Sequence, residues 1–294
     1  MSKINVLVTG AKGQLGSELQ LLIKDNCCDN CNFIFTDVDT LDITERSNAV
    51  KFVEQNPVDF IINCAAYTAV DKAEEDKDKA FLINTTAIDY LISASVVANA
   101  CLVHISTDYV FDGTQNTPYH EDNPTFPETM YGKTKDEGEK LILEADINAF
   151  IIRTSWLYSS FGNNFVKTMI RLGEEKDEIN VVYDQIGTPT YARDLASTIL
   201  DIVKQFKPEK EYKKQEIYHY TNEGVASWYD FACEIFRIRD IKCNINPVDS
   251  KQFKTLAKRP AFSVLNKSKI KTDFNIKINH WADSLRDMLD VLGK

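Results

Sequence analysis

The feature that most constrains the fold is a glycine-rich turn near the N-terminus. The apolar run Ile4 to Val8 leads into Thr9-Gly10-Ala11-Lys12-Gly13-Gln14-Leu15-Gly16, and leucines at helical spacing follow. A strand, a glycine turn and a helix in this order present backbone N–H groups that bind a dinucleotide pyrophosphate. Gly10, Gly13 and Gly16 are three of only 11 glycines in the chain, so an ordinary turn is the weaker explanation.

The first half of the chain alternates short apolar runs with amphipathic stretches. We predict strands at 4–8, 33–35, 60–62, 101–105 and 150–152, and helices at 14–24, 48–55, 76–99 and 131–145. This alternation implies right-handed crossovers and a parallel sheet covered on both faces. The predicted fold class is therefore α/β: a Rossmann-type doubly wound parallel sheet with a smaller, interleaved C-terminal substrate-binding lobe.

The alternation loosens after Trp156, which sets the predicted boundaries. The core is expected to span 1–155, with a returning segment at about 190–221 that contains a helix at 194–204 and a sixth strand at 217–220. Residues 156–189 and 222–294 would form the substrate-binding lobe, which ends in a helix at 281–292.

Charge and hydropathy exclude several classes of protein. The 294 residues include 34 Lys plus Arg and 44 Asp plus Glu, for a net charge of -10. An acidic surface repels nucleic acid, although local donors can still hold a small phosphorylated ligand. We find neither a window near the ~20 apolar residues of a spanning helix nor a signal-peptide cleavage site. The expectation is a cytoplasmic protein without a membrane partner.

The seven cysteines include one CxxC, formed by Cys28 and Cys31. No second CxxC and no nearby His accompany it, so a zinc or redox site is the weaker interpretation. We interpret the pair as a reduced connection at the surface.

Asp37 closes the second predicted strand. A carboxylate there accepts hydrogen bonds from adenosine ribose hydroxyls and repels a 2′-phosphate, which favours NADH. Lys12 in the glycine turn offsets that repulsion, so NADPH stays open. A turn or cap role is the alternative for Asp37. The small residues Ala65 and Ala66 follow the third strand, where they would let a cofactor approach the backbone.

The fourth strand leads to Thr107, and Tyr131 and Lys135 open the next helix. At i and i+4 the Tyr and the Lys share one helix face. A nearby ammonium lowers the pKa of a phenol, which is otherwise about 10. The hypothesis is that Tyr131 exchanges a proton with the substrate, Lys135 lowers its pKa and binds the nicotinamide ribose, and Thr107 binds the reacting oxygen. An exposed helical pair is the alternative.

Together these segments resemble the extended short-chain dehydrogenase/reductases, and within them the dTDP-4-dehydrorhamnose reductase family. The resemblance spans nearly the whole chain and is carried by 9–16, 63–74, 106–111, 131–135, 153–158, 162–165, 184–190 and Arg259-Pro260. It implies an enzyme that uses NADPH or NADH to reduce the C4 ketone of dTDP-4-dehydro-L-rhamnose to dTDP-L-rhamnose, with this nucleotide sugar as the partner.

The resemblance also implies the site residues. For the cofactor they are Gly10, Gly13, Gln14, Leu15, Gly16, Asp37, Asp42, Ile43, Ala65, Ala66, Tyr67, Tyr131 and Lys135. For the substrate they are Thr107, Asp108, Trp156 and Arg259. Asn163 and Asn164 would bind the sugar or a phosphate, with a turn as the alternative. Trp156 has a physical reason as well, because its ring face suits the methyl side of a deoxysugar; a core Trp is the alternative. For Asn84 the alternatives are a proton relay and the helix surface.

Some members of the family are dimers bridged by a divalent metal on acidic side chains. Glu18 matches one such position, whereas Arg193 stands where another acid would be. We therefore expect no metal, and a homodimer stays open.

Two other functions remain compatible with the sequence. One is another nucleotide-sugar enzyme of the extended short-chain class, an epimerase or a dehydratase, which regenerates its NAD. The other is a non-enzymatic module that resembles the regulatory subunit of methionine adenosyltransferase. The intact set of Thr107, Tyr131 and Lys135 argues against this second alternative.

Overall fold

The structure, a computed structural model, describes residues 3–25, 30–206 and 215–293. Its strands are β1 (Ile4–Thr9), β2 (Cys31–Phe35), β3 (Phe60–Asn63), β4 (Cys101–Thr107), β5 (Ala149–Thr154), β6 (Leu157–Tyr158), β7 (Glu178–Val182), β8 (Ile186–Gly187), β9 (Thr190–Tyr191), β10 (Gln215–His219), β11 (Ala226–Ser227) and β12 (Asn244–Val248). Its α-helices are α1 (Gln14–Lys24), α2 (Arg46–Gln55), α3 (Val70–Ala73), α4 (Lys77–Phe81), α5 (Ala87–Ala98), α6 (Met130–Glu144), α7 (Phe165–Glu175), α8 (Ala192–Gln205), α9 (Trp228–Arg239), α10 (Ser268–Phe274) and α11 (Trp281–Leu292).

Six strands form one parallel sheet in the order β10-β5-β4-β3-β1-β2. Alternate residues of β1 enter opposite cores: Val6 and Val8 pack with α1 and α8, and Leu7 packs with α2 and α5. The predicted doubly wound parallel sheet is thus confirmed. The strand order reverses between β1 and β3, and ligands of such sheets bind beyond the strand carboxyl ends at this switch point.

The helix predicted over 76–99 is a composite. A π-helical turn, Leu82–Thr86, separates α4 from α5. The turn holds Asn84 in the interior, so the surface alternative for this residue is wrong.

The same composite helix corrects the expectation about membrane-spanning segments. Among the described residues, Lys77–Ala98 is the one stretch long and apolar enough to cross a membrane, contrary to the expectation that no such stretch exists. Half of it is buried inside the protein, where Ile88 and Leu91 pack on the sheet. Core packing therefore accounts for the buried half of its apolar side chains, whereas Phe81, Leu82, Val96 and Val97 are exposed.

A third hydrophobic cluster lies outside the sheet. It is built mainly from α7, α9 and α11, with short strand pairs β6–β9 and β7–β12 beside them. Residues 188–189 connect β8 to β9. The predicted domain boundaries at 155, 190 and 221 stay predictions.

Cys31 opens β2 and is disulfide-bonded, so the predicted reduced state is wrong for this residue. Cys28 lies outside the described residues. Cys64 is a free thiol, and burial raises its pKa to about 12. A thiol with so high a pKa is unreactive at neutral pH.

Candidate active site

A long cleft follows the carboxyl edge of the sheet. It consists of two adjoining cavities of about 520 and about 410 Å³, which share Gly13, Cys64 and Ala66. The smaller one, here the dinucleotide cavity, is lined by residues that follow β1 and β2. The larger one, here the reaction crevice, is lined by residues from the end of β4 and the start of α6. Their position matches the switch point of the strand order.

The glycine turn forms a wall of both cavities. Gly10 has φ +67°, and a Cβ there would lie 2.6 Å from the Ala65 nitrogen. A Cβ on Gly16 would lie 2.5 Å from the Gly10 oxygen, whereas the nearest atom to one on Gly13 is that same oxygen at 3.2 Å. Gly10 and Gly16 therefore close the turn, while Gly13 leaves its backbone open to a ligand.

Two predicted cofactor carboxylates line the dinucleotide cavity and also hold turns together. Asp37 Oδ2 accepts a hydrogen bond from the Lys12 backbone N–H at 2.8 Å. Asp42 Oδ1 accepts from the Thr44 N–H at 2.9 Å. The turn role considered for Asp37 is thus present. The Lys12 amine pairs with Asp39 at 2.7 Å, so its compensation of Asp37 is indirect.

Most other predicted cofactor residues line the two cavities: Gln14, Leu15, Ile43, Ala65, Ala66, Tyr131 and Lys135. Gly16 and Tyr67 do not. The Tyr67 hydroxyl donates to Asp76 at 3.4 Å, and its backbone N–H and C=O both bond to the Asn84 side chain. Asn84 also donates to Thr134 Oγ1 at 3.1 Å. This buried amide joins the loop after β3 to α6.

The reaction crevice brings Thr107, Tyr131 and Lys135 together. Thr107 is the last residue of β4. Thr129 caps α6 by accepting a hydrogen bond from the Gly132 N–H at 3.0 Å, which fixes the first turn where Tyr131 stands. The predicted triad therefore occupies one wall of one cavity.

The prediction that Lys135 lowers the pKa of Tyr131 is wrong. Burial raises the pKa of Tyr131 to about 12; a hydrogen bond with Thr107 opposes this rise, and the Asp108 charge adds to it. Lys135 is itself buried, which lowers its pKa to about 8. Its amine donates to the Ile105 carbonyl at 2.6 Å. Tyr131 is consequently a protonated phenol at neutral pH.

Asp108 lines the crevice with only 1% of its surface exposed. Its Oδ1 accepts from the Thr107 hydroxyl at 3.0 Å, while its Oδ2 has no hydrogen-bond partner among the described residues. Burial raises its pKa to about 6. An unpaired buried acceptor is costly, so the ionised carboxylate is less stable here than it would be in water.

Trp156 lines the crevice in a stack with Trp228, a residue that the sequence analysis did not single out. Trp228 is the first residue of α9, and Ser227 and Asp230 form a capping box there. The signal was present in Ser227-Trp228-Tyr229-Asp230, since a Ser followed three residues later by an acid marks a helix start. Nothing in that pattern indicated that the helix would begin at the crevice.

The other predicted substrate residues differ in their placement. Asn163 lines the crevice. Asn164 caps α7 and donates to Gln14 Oε1 at 2.9 Å, so it ties this loop to the glycine turn. Arg259 is outside the described cavity walls and forms an ion pair with Asp71 at 2.6 Å.

Glu18 and Arg193, the two residues considered for a metal-bridged dimer, both bind to side chains of this same chain. Glu18 is fully buried and accepts from the Ser159 hydroxyl at 2.5 Å. Burial raises the pKa of Glu18, and the hydrogen bond from Ser159 opposes the rise. Arg193 donates to Asp25 at 3.1 Å. The described part of the chain holds no group of three or more His, Cys, Asp or Glu suited to a metal.

The sheet, the glycine turn and the Tyr–Lys pair define a protein with the extended short-chain dehydrogenase/reductase fold. The family described as RmlD substrate binding domain matches residues 4–293. The chain belongs to that family.

Relatives with known names cover nearly all of the chain. A dTDP-4-dehydrorhamnose reductase of Aggregatibacter actinomycetemcomitans is 40% identical over 96% of this chain and 97% of its own length. A crystal structure of a dTDP-4-dehydrorhamnose reductase from Clostridium acetobutylicum has a TM-score of 0.91 at 42% identity and covers 99% of this chain and 100% of its own. Another, from Bacillus anthracis in complex with NADP, has a TM-score of 0.91 at 38% identity and covers 98% and 99%.

Proposed function

We propose that this protein is an oxidoreductase of dTDP-rhamnose biosynthesis that reduces the C4 ketone of dTDP-4-dehydro-L-rhamnose to dTDP-L-rhamnose with NADPH or NADH. One observation carries the proposal: Thr107, Tyr131 and Lys135 line the same reaction crevice, and this crevice adjoins the dinucleotide cavity. The names of the relatives support the same reaction.

The dinucleotide cavity fits a nicotinamide cofactor. A side chain on Gly10 would overlap the backbone of the loop after β3, so the turn is shaped for close backbone approach. Gly13, Asp37 and Ala66 would hold the cofactor, which supplies a hydride when bound. The relative from Bacillus anthracis binds NADP, which supports NADPH among the two cofactors.

The chain's own residues handle the proton. Tyr131 keeps its proton at neutral pH because its pKa is about 12, so it is ready to donate. As hydride reaches C4, the Tyr131 O–H bond breaks and a new O–H bond forms on the former carbonyl oxygen. Thr107 orients that oxygen, and the Tyr131 phenolate regains a proton from solvent. Ketone, hydride and proton together give the secondary alcohol.

We further propose a cytoplasmic location, with no nucleic acid or membrane as partner. The net charge of -10 supports the first exclusion. The burial of half of the apolar stretch Lys77–Ala98 inside the protein supports the second. A homodimer stays a prediction, which sedimentation of the purified protein would test.

The reaction is tested by following oxidation of NADPH or NADH with dTDP-4-dehydro-L-rhamnose. Tyr131→Phe should lower the turnover by about 10²- to 10⁴-fold, the range for removal of a general acid. Tyr183→Phe is the matched control, because Tyr183 is 47% exposed and outside the crevice. Conversion of nucleotide sugars without net cofactor oxidation would favour an epimerase or dehydratase. Complete lack of turnover would favour a binding module.

A further inference from the structure

A chain of buried hydrogen bonds lies beneath the reaction crevice. Asn63 on β3 and His104 on β4 are aligned partners in the sheet, and both are almost fully buried. Asn63 Nδ2 is 3.1 Å from His104 Nδ1. On the other side of the ring, His104 Nε2 is 3.0 Å from the Lys135 amine.

The Asn63 amide has a fixed orientation. Its Oδ1 lies 3.1 Å from the Ala65 backbone N–H and 2.7 Å from the Thr9 hydroxyl. A backbone N–H can only donate, so the amide oxygen must face Ala65 and the NH₂ group must face His104. Nδ1 of His104 is therefore an acceptor, and a neutral ring must carry its proton on Nε2.

His104 is neutral, because burial holds its pKa well below the usual value. Its Nε2–H thus points at the Lys135 nitrogen. An ammonium has three donors and no acceptor, so only a neutral amine can accept this bond. The amine can still donate to the Ile105 carbonyl at 2.6 Å.

We propose that Asn63 and His104 are positioning residues that set the protonation state of Lys135: the His104 Nε2–H favours a neutral amine, and the amine takes up a proton when an anionic dinucleotide binds. The tautomer stands on the hydrogen bonds alone. The coupling to the dinucleotide rests on the proposed function.

The charged groups around Lys135 do not cancel the effect of His104 on its protonation state. On α6, Glu139 acts to raise the pKa of Lys135. Its carboxylate is shared with Arg153 on β5, at 2.6 Å, and with the Ser106 hydroxyl on β4. Tyr131, also on α6, is a neutral phenol. On β4, the Lys135 nitrogen therefore faces the Ile105 carbonyl, which accepts from it, and the titratable ring of His104.

The first test reads the tautomer by nitrogen-15 NMR of the histidine rings in the unmodified protein. The chain has four histidines, of which His120 and His280 are exposed. His219 is buried with Nδ1 3.1 Å from the Tyr119 carbonyl, so its proton is on the opposite nitrogen to that of His104. Between about pH 6 and 9, where an ordinary imidazole or amine begins to titrate, we expect two rings that do not titrate. His104 should carry its proton on Nε2, and His219 should carry its proton on Nδ1. His219→Gln assigns the remaining ring. A His104 that is protonated on Nδ1, or that titrates in this range, would overturn the proposal.

The second test measures proton uptake when NADPH binds, by calorimetry in buffers of different ionisation enthalpy near about pH 8.5, close to the pKa of Lys135 of about 8. The unmodified protein should take up a fraction of a proton, and Lys135→Met should abolish this uptake. His104→Gln can turn an oxygen toward Lys135 and favour the ammonium before binding, so uptake should fall by more than half. His219→Gln is the control for loss of a buried histidine. Equal uptake in His104→Gln and the unmodified protein would refute the coupling.

The two proposals fail separately. If the unmodified protein binds neither NADPH nor NADH, the proposed function and the coupling fall, while the His104 tautomer still stands or falls on the NMR result. If NADPH binds and is oxidised but uptake is independent of residue 104, the reaction survives and the role of His104 does not.

Discussion

The indole rings of Trp156 and Trp228 lie face to face, with 3.5 Å between ring centroids and 8° between planes. Trp156 has a φ of 48°, and its ring occupies the space that a Cβ on Gly187 would fill, 2.7 Å away. Both rings line the reaction crevice. Two residues far apart in the sequence therefore form one aromatic platform in the crevice that Tyr131 also lines.

Replacement of Trp228 by Leu should weaken binding of the nucleotide sugar with little effect on the chemical step. Loss of the stacked partner leaves Trp156 less restrained, and such aromatic pairs contribute about 0.5–1.5 kcal/mol beyond their buried area. We expect a rise in KM of about 3- to 10-fold with kcat nearly unchanged. Steady-state kinetics checks this, with Trp228→Phe expected to recover most of the loss. An unchanged KM in Trp228→Leu would contradict the platform.

Two glycines of the turn should have different roles, Gly10 in folding and Gly13 in cofactor binding. Gly10→Ala forces a Cβ onto a residue with φ +67° and to within 2.6 Å of the Ala65 nitrogen, so it should lower the free energy of unfolding by at least about 1–2 kcal/mol. Gly13 has φ -72° and more space. Gly13→Ala should fold nearly as well but bind NADPH at least about 10-fold more weakly, because its Cβ faces the pyrophosphate. Urea unfolding and calorimetric titration distinguish the two. Equal loss of stability in both variants would argue against this division.

The ion pair of Arg153 and Glu139 should stabilise the protein far more than a surface pair. Its atoms are 2.6 Å apart and both side chains are at most 3% exposed. Glu139→Ala leaves a buried guanidinium unpaired and should cost about 3–5 kcal/mol of unfolding free energy. Glu175→Ala breaks an exposed pair with Arg171 and should cost less than about 1 kcal/mol. Denaturant titration measures both values, and similar losses for the two variants would refute the prediction.

Asp108 should make stability fall as pH rises. Its pKa is about 6 in the folded protein against an ordinary value of 3.8, so the native state holds its proton more tightly than the unfolded chain. The resulting cost is absent below about pH 4, grows up to about pH 6 and then stays at about 3 kcal/mol. Asp108→Asn should therefore stabilise the protein at about pH 7.5 but not at about pH 4.

The same variant should lower kcat/KM, because Asn presents one acceptor oxygen where the carboxylate presents two. Urea unfolding at the two pH values and a kinetic assay give the comparison. A stability difference that does not change with pH would show that Asp108 is not a destabilising charge.

Much of the fold was predictable because it depends on local patterns. Continuous apolar runs gave the six sheet strands, and the spacing of the glycines gave the turn above β1. Residues at strand ends, such as Thr107, were placed correctly because parallel strands bring their carboxyl ends to one edge. The break of the helix at Leu82–Thr86 was not predictable, since a π-helical turn has no composition that marks it.

The parts of the site that depend on long-range contacts were missed. Trp228 reaches the crevice because of how α9 packs against α7, which neither segment reveals alone. Tyr67 stands within a segment of the right pattern, yet its side chain turns to Asp76. The effect of Lys135 on Tyr131 was inferred from helical spacing, but burial dominates the pKa of both residues.

The last strand of the sheet has a consequence for synthesis of the protein. β10 pairs along β5 from Gln215 with Ala149 to His219 with Arg153. Until the ribosome has made residue 219, the outer edge of β5 has no neighbour, and it exposes the backbone beside Phe150 and Ile152. Open apolar edges recruit strands from other molecules. Nascent chains released before that point should therefore aggregate, and early stop codons in this gene should yield inclusion bodies rather than soluble fragments.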